Sequence, residues 1–304
     1  MNLQDPSGSL TRVATFEDWV EGARLRTLPL AIAPVVLGSG VAGFFGAFQW
    51  MFALLALIVA LALQIGVNYA NDYSDGIRGT DEHRVGPVRL TAGKLARPVA
   101  VKAAAFGCFG IAAVAGLWLS IASGHWWLIL VGVVSIIAAW FYTGGEHPYG
   151  YAGLGEVAVF VFFGLIATMG TEFVQTSTTS WLGFWAAVDM GLFSCAVLMI
   201  NNIRDIETDR LSGKHTLAVR LGHTGARIAF ASFSLVPFAL LFVALNPAGR
   251  LGWIAIAAIV PVGYALWRGL APRTPRDQIA GLKFVSLGAL AFAVLLAIGW
   301  QLLG

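Results

Sequence analysis

Long apolar runs, each near 20 residues and set off from the next by charge or glycine, decide what solvent this chain folds in. Crossing hydrocarbon takes about 20 mostly apolar residues of helix. By that measure spans are predicted at 28–47, 51–70, 98–121, 126–143, 153–172, 181–201, 227–245, 251–268 and 283–302. A lipid-exposed segment must satisfy its own backbone hydrogen bonds, so each span is expected to be a helix. The expected fold is therefore an all-α polytopic membrane protein with nine transmembrane helices, organised as a single domain over 1–304. Charged residues make up 12% of the chain, about half the usual soluble share. Cys108 and Cys195 both fall inside apolar runs, which argues against a disulfide framework or a cysteine metal site. The opening segment, 1–27, is polar and without an apolar core, so no cleavable leader is expected. Phe16, Trp19, Val20, Ala23 and Leu25 among its charges predict a short helix lying at the interface.

The net charge of +3 would by itself permit a nucleic-acid partner. Its distribution points to membrane orientation instead. With the spans above, 19 lysines and arginines are present and all but Arg250 fall on one side. Positive charge marks the cytoplasmic side, so the N-terminus is expected there, in the cytoplasmic membrane, together with two long loops at about 73–97 and 203–224. No nucleic-acid partner is expected.

Those two loops begin in acid. Asn68-Tyr-Ala-Asn71-Asp72-Tyr-Ser-Asp75 ends the second span, and Asn201-Asn202-Ile-Arg204-Asp205-Ile-Glu207-Thr-Asp209 ends the sixth. Ionisable residues at a membrane's edge are costly and mark function by default. Asn71 and Asp75, Asn201 and Asp205, and Asp205 and Asp209 are each four apart, which puts both members of a pair on one helical face. Mg²⁺ takes oxygen ligands, keeps several waters, and is held by one or two carboxylates plus substrate phosphates. Two such helix ends facing each other would hold magnesium with a diphosphate between them. Arg78, Arg84, Arg89, Lys94, Arg97, Arg204, Lys214 and Arg220 would neutralise the remaining phosphate charge. His83, His147, His215 and His223 show no zinc-like spacing. Simple ion pairing with neighbouring bases would explain one acidic cluster, but not two in equivalent places.

The motifs Asn71-Asp72-x-x-Asp75 and Asp205-x-x-x-Asp209 resemble the aspartate-rich motifs of the UbiA superfamily of intramembrane prenyltransferases. The stretches 71–81, 84–90, 142–156, 201–205 and 216–222 resemble its 1,4-dihydroxy-2-naphthoate polyprenyltransferase branch, and the likeness covers the whole chain. The resemblance implies helices ringed round a central cavity with the acids at its cytoplasmic mouth. It implies Mg²⁺-dependent transfer of a polyprenyl group from polyprenyl diphosphate to dihydroxynaphthoate, with decarboxylation, in menaquinone biosynthesis. Asn68, Asn71, Asp72, Asp75, Asp81, Asp205 and Asp209 are the implied metal ligands, with Asp72, Asp75, Asp205, Asp209 and Tyr142 catalytic. Arg24, Arg26, Arg78, Arg84, Lys94, Arg97, Asn201, Asn202, Arg204 and Lys214 are the implied substrate contacts, Arg24 or Arg26 for the acceptor's carboxylate. Other acceptors of the superfamily, 4-hydroxybenzoate or homogentisate among them, stay open. An ion-coupled transporter is the alternative of another class, although its acids belong near the bilayer midplane, not at one face.

Overall fold

The computed structural model describes residues 12–80, 89–244, 251–272 and 274–302. Asp81 and Arg84, both expected at the site, lie outside the described residues.

Among the described residues the protein is helical throughout, with no strand. A short helix α1 (Phe16–Gly22) opens the chain, started by a capping box in which Thr15 and Asp18 exchange hydrogen bonds. A 3₁₀ turn (Leu25–Thr27) leads into α2 (Pro29–Phe44). Then come α3 (Trp50–Arg78), α4 (Pro98–Ser123) and α5 (Leu128–Phe141). The next run changes pitch twice, from α6 (Gly155–Val159) through a π-helix (Phe160–Met169) to α7 (Gly170–Thr176). Helices α8 (Trp181–Leu211) and α9 (Leu217–Val243) follow. A 3₁₀ segment (Leu251–Ala258), α10 (Ile259–Leu270) and α11 (Pro275–Gln301) complete the fold. Helix α3 packs on α4, α8 on α9 and on the π-helix, and α11 returns against α2. That last contact brings the end of the described chain beside its beginning and closes the bundle around a cavity.

Among the described residues seven helical runs are long and apolar enough to cross a membrane, and the pair Phe16–Thr27 and Pro29–Phe44, bent by 47°, makes an eighth when counted as one span. Helix α5, at 14 residues, spans about 21 Å at 1.5 Å per residue. That is short of a hydrocarbon core of about 30 Å, so helix length alone does not give the nine spans expected.

Most of the core lies between α2, α8, α9 and α11, where Phe193, Phe238 and Phe292 meet edge to face at 5.5–6.1 Å. The π-helix approaches α8 closely because a Cβ on Gly164 would stand 2.6 Å from the Gly191 Cα, the small-residue contact by which membrane helices pack.

The two loops expected at 73–97 and 203–224 are shorter than their charges suggest. Helix α3 runs on to Arg78 and stops where Gly79 takes a left-handed conformation (φ +73°). Helix α8 runs on to Leu211, and α9 begins six residues later. Both acidic motifs are therefore helical along their whole length. Their charges are paired within the helix or against neighbouring segments, so they do not unwind it.

Candidate active site

Helix α3 faces the cavity with one stripe, Ala60, Leu63, Val67 and Asn71, and α5 with another, Leu128, Gly132, Ser135, Ala139 and Tyr142. These are i, i+3, i+4 spacings, so each helix lines the cavity along its axis. The cavity has a volume of about 360 Å³ and a mostly apolar wall. Its hydroxyls are turned away from it. Ser120, Ser135, Thr171 and Ser194 each donate to the carbonyl four residues back in their own helix, at 2.7–2.8 Å, which removes the donor that would otherwise face the lumen. Beyond Val35 and Val174, at the far end, Gln175 Nε2 donates to Ser39 Oγ at 3.1 Å, and the Gln49 backbone N–H donates to Gln175 Oε1 at 3.0 Å.

The opposite end is polar. Arg24, Arg26, Asn68, Asn71, Arg89, Tyr142, Tyr149, Asn201 and Arg204 all line the cavity there. Asn71 Oδ1 accepts from Thr143 Oγ1 at 2.8 Å. One helical turn further along α3, buried Asp75 accepts from the Tyr151 hydroxyl and from Lys214 Nζ at 3.4 Å. The same ammonium stands 4.0 Å from Asp209 Oδ1 and 4.5 Å from the centre of the Tyr151 ring. The two motifs, about 130 residues apart, thus meet across one lysine. On α8, Arg204 grips Asp205 with two hydrogen bonds, at 2.7 and 2.6 Å, and reaches Asn201 Oδ1 at 3.0 Å. Asn202 donates to buried Glu156 at 3.3 Å.

Asp72 is fully buried, outside the cavity wall, and its carboxylate accepts the backbone N–H groups of Leu90 and Thr91 at 2.9 and 2.8 Å. Four residues after Asn68 and three before Asp75, it shares their side of α3, yet its carboxylate turns to hold the following loop. Asn68 is likewise engaged, donating to the Ala23 carbonyl at 2.9 Å. Arg78 donates to the carbonyls of Thr143 and Gly145, and Arg220 to those of His215 and Ala152. These two cations tie loops together. Lys94 and Arg97 are exposed and do not line the cavity.

Arg24 and Arg26, equivalent by position in the sequence, differ in the structure. Arg26 is paired with Glu21. Arg24 holds a left-handed backbone (φ +56°), and its Nη2 is buried with no hydrogen-bond partner among the described residues. A non-glycine residue in that region is strained, and such strain gathers at functional sites.

Tyr151 was not singled out from the sequence. It lies in the 3₁₀ turn Tyr149–Ala152 between α5 and α6, and its ring sits between Lys214 and the Arg78 guanidinium, 5.5 Å from the ring centre. Burial, and then the Asp75 charge, push its phenol well above the ordinary tyrosine range. Burial pushes the Tyr149 phenol up to about 12. Both hydroxyls are held as donors.

The donor set at this end suits magnesium in kind, since Asn71, Asp75, Asp205 and Asp209 offer amide and carboxylate oxygens. Among the described residues there is no group of three or more acidic, histidine or cysteine side chains placed to hold a metal. Mg²⁺ does not require one, because waters and substrate phosphates complete its octahedron. Lys214, a cation already lying between carboxylates of both motifs, marks the position where positive charge is wanted.

The UbiA prenyltransferase family profile matches residues 31–287. The chain is similar to the 1,4-dihydroxy-2-naphthoate octaprenyltransferase of Mycobacterium tuberculosis, 48% identical over 94% of this chain and 97% of the relative. It is 40% identical to the Escherichia coli enzyme of the same name, over 81% and 83%. Among solved structures, a UbiA homolog from Archaeoglobus fulgidus bound to GPP and Mg²⁺ superposes with a TM-score of 0.65 at 12% identity, covering 92% of this chain and 99% of that one.

Proposed function

Because this chain belongs to the UbiA prenyltransferase family, and is a prenyl-transferring enzyme, we propose that it joins a polyprenyl group to 1,4-dihydroxy-2-naphthoate in menaquinone biosynthesis. The observation that carries this reading is the juxtaposition of Asp75, Asp209 and Lys214 one helical turn beyond Asn71, which lines the polar end of an apolar tunnel. A diphosphate belongs at the first and a polyprenyl tail in the second.

In the reaction the allylic C–O bond breaks and the diphosphate leaves with the electron pair. The ring carbon bearing the carboxylate attacks the allylic carbon, and that carboxylate departs as carbon dioxide, returning its pair to the ring. Asn71, Asp75, Asp205 and Asp209 would hold magnesium, which would supply charge neutralisation for the departing diphosphate. Lys214, Arg204 and Arg89 add cationic donors to it. Arg204 must first release Asp205, so its two hydrogen bonds pass from the carboxylate to the phosphate. The unpaired Nη2 of Arg24 receives the acceptor's carboxylate, and the Tyr142 ring stands beside the allylic cation at the tunnel's entrance. The apolar wall, with its hydroxyls bonded back, keeps water from that cation.

Asn202 assists from behind by holding Glu156, whereas Asp72, Arg78, Lys94 and Arg97 carry no ligand role in this reading. The chain acts as one domain of nine spans in the cytoplasmic membrane, α5 being the short fourth. The polar end faces the cytoplasm, because Arg24, Arg26, Arg78, Arg89, Arg204 and Lys214 gather there.

Purified protein in detergent, given polyprenyl diphosphate, Mg²⁺ and dihydroxynaphthoate, is expected to release diphosphate and carbon dioxide. Asp75→Ala and Asp209→Ala are expected to abolish turnover while the protein remains folded. Absence of a prenylated product by mass spectrometry, with dihydroxynaphthoate recovered unchanged, would sink the assignment.

A further inference from the structure

We propose that Gly116, Gly132 and Gly170 set the length of isoprenoid tail the enzyme takes, by leaving the deep half of its tunnel without side chains. The inference rests on the reaction proposed above and goes on to what selects its donor.

The three glycines come from three walls, α4, α5 and α7, and all line the cavity. They are not packing glycines. A Cβ on Gly132 or Gly170 would meet nothing within 4 Å, and one on Gly116 would meet only Val59 Cγ2 at an ordinary 3.8 Å. Contrast Gly164, where a Cβ would stand 2.6 Å from its neighbour's backbone. Nor are they turn glycines, because none of the three has a positive φ. Glycine is the poorest residue but proline for a helix interior. What these positions gain in return is open space in the lumen.

Their depth follows from helix geometry. Gly132 lies ten residues before Tyr142 on the cavity face of α5, about 15 Å down the tunnel. Gly116 touches the level of Val59, twelve residues before Asn71 on α3, about 18 Å down. An extended chain advances about 1.2 Å per main-chain bond, so a five-carbon unit with four such bonds takes about 5 Å. Gly132 and Gly116 therefore stand where the third and fourth units of a tail would pass, and Gly170 lies one helical turn before Val174, at the same deep end. A two-unit tail stops short of them, and a long tail must cross them.

The test compares geranyl diphosphate with an all-trans octaprenyl diphosphate on Gly132→Phe and Gly170→Phe. The control is Gly107→Phe, on an exposed part of α4 outside the cavity where a Cβ also meets nothing within 4 Å. For the two cavity variants, kcat/KM with the octaprenyl donor is expected to fall at least ten-fold, while that with the geranyl donor stays within two-fold. The control is expected to treat both donors as the unsubstituted protein does. Parallel loss with both donors, or no loss with either, overturns the proposal. The thermal shift each donor produces with Mg²⁺, which needs no acceptor, gives the same comparison. If the unsubstituted protein prenylates no dihydroxynaphthoate yet the shifts discriminate by length, the assigned acceptor fails and the glycines stand. If it does prenylate and the shifts do not discriminate, the glycines fail alone.

Discussion

Replacing Asp72 separates a loop anchor from a metal ligand, two roles the sequence cannot distinguish. The Asp72 carboxylate has no exposed surface and receives two backbone amides, from Leu90 at 2.9 Å and Thr91 at 2.8 Å. Leu90 is itself buried against α1, where a Cβ on Gly22 would stand 2.9 Å from its side chain. The Leu95 carbonyl accepts from the Ala14 N–H at 2.9 Å. The loop so held carries Arg89 into the cavity wall. Asp72→Asn keeps the shape but offers one acceptor oxygen where there were two, and sets an NH₂ against the second amide. A hydrogen bond to a charged group contributes about 1.5–3 kcal/mol net, so this variant loosens the loop by about that amount. If the loop opens locally, amide exchange across 89–96 rises by about 10- to 150-fold. Magnesium should hardly notice. The Mg²⁺ concentration for half-maximal rate is expected to stay within two-fold in Asp72→Asn and to rise at least ten-fold in Asp75→Asn. The assay is hydrogen exchange by mass spectrometry beside a magnesium titration of the steady-state rate. A large magnesium shift in Asp72→Asn with unchanged exchange would refute the anchor and restore the ligand.

Other expectations follow from single contacts. Arg24→Met is expected to raise KM for the acceptor at least ten-fold with the donor's KM unchanged, whereas Arg26→Met, already paired with Glu21, changes it less than about three-fold, loss of one charged hydrogen bond being about 1.5–3 kcal/mol; equal effects would remove the distinction. Tyr149, at about 12, lies above the ordinary phenol value near 10, so its protonated form favours the fold fully below pH 10 and is lost as pH rises through 12. A tyrosinate titration by absorbance should lose one component near pH 12 in Tyr149→Phe, and completion of all ionisation below pH 11 in the unsubstituted protein would contradict it. Gly153 has φ +78°, and a Cβ there would stand 2.9 Å from the His215 carbonyl. Gly153→Ala should therefore cost about 1–2 kcal/mol from the left-handed backbone alone, read as a lower melting temperature with weaker docking of Arg220 on the loop; an unchanged melting temperature would show the turn to be freely adjustable.

The parts of this protein that obey a period were legible, and those fixed by a single distant contact were not. Apolar runs near 20 residues gave the long helices their approximate places, while α5, and α2 taken without the bent segment before it, fall short of a span by length. The four-residue spacing puts Asn71 and Asp75 on one side of α3, but it keeps Asp72 beside them, four residues after Asn68. It could not say where Asp72 turns, because its partners lie 18 and 19 residues away in a loop with no repeat. The spans expected to end at 70 and 201 run on as helix to Arg78 and Leu211, and within α8 Arg204 pairs with Asp205 and Arg210 with Glu207. Tyr151 stayed hidden because nothing in a short turn signals that its hydroxyl reaches a carboxylate 76 residues away. Its position explains why the two motifs need a third segment at all. Asp75 and Asp209 would repel each other across the mouth, and Lys214 lies between them. With the Tyr151 hydroxyl on Asp75 and its ring under Lys214, the cluster holds its charges close before any diphosphate arrives, which is the preorganisation that electrostatic catalysis requires.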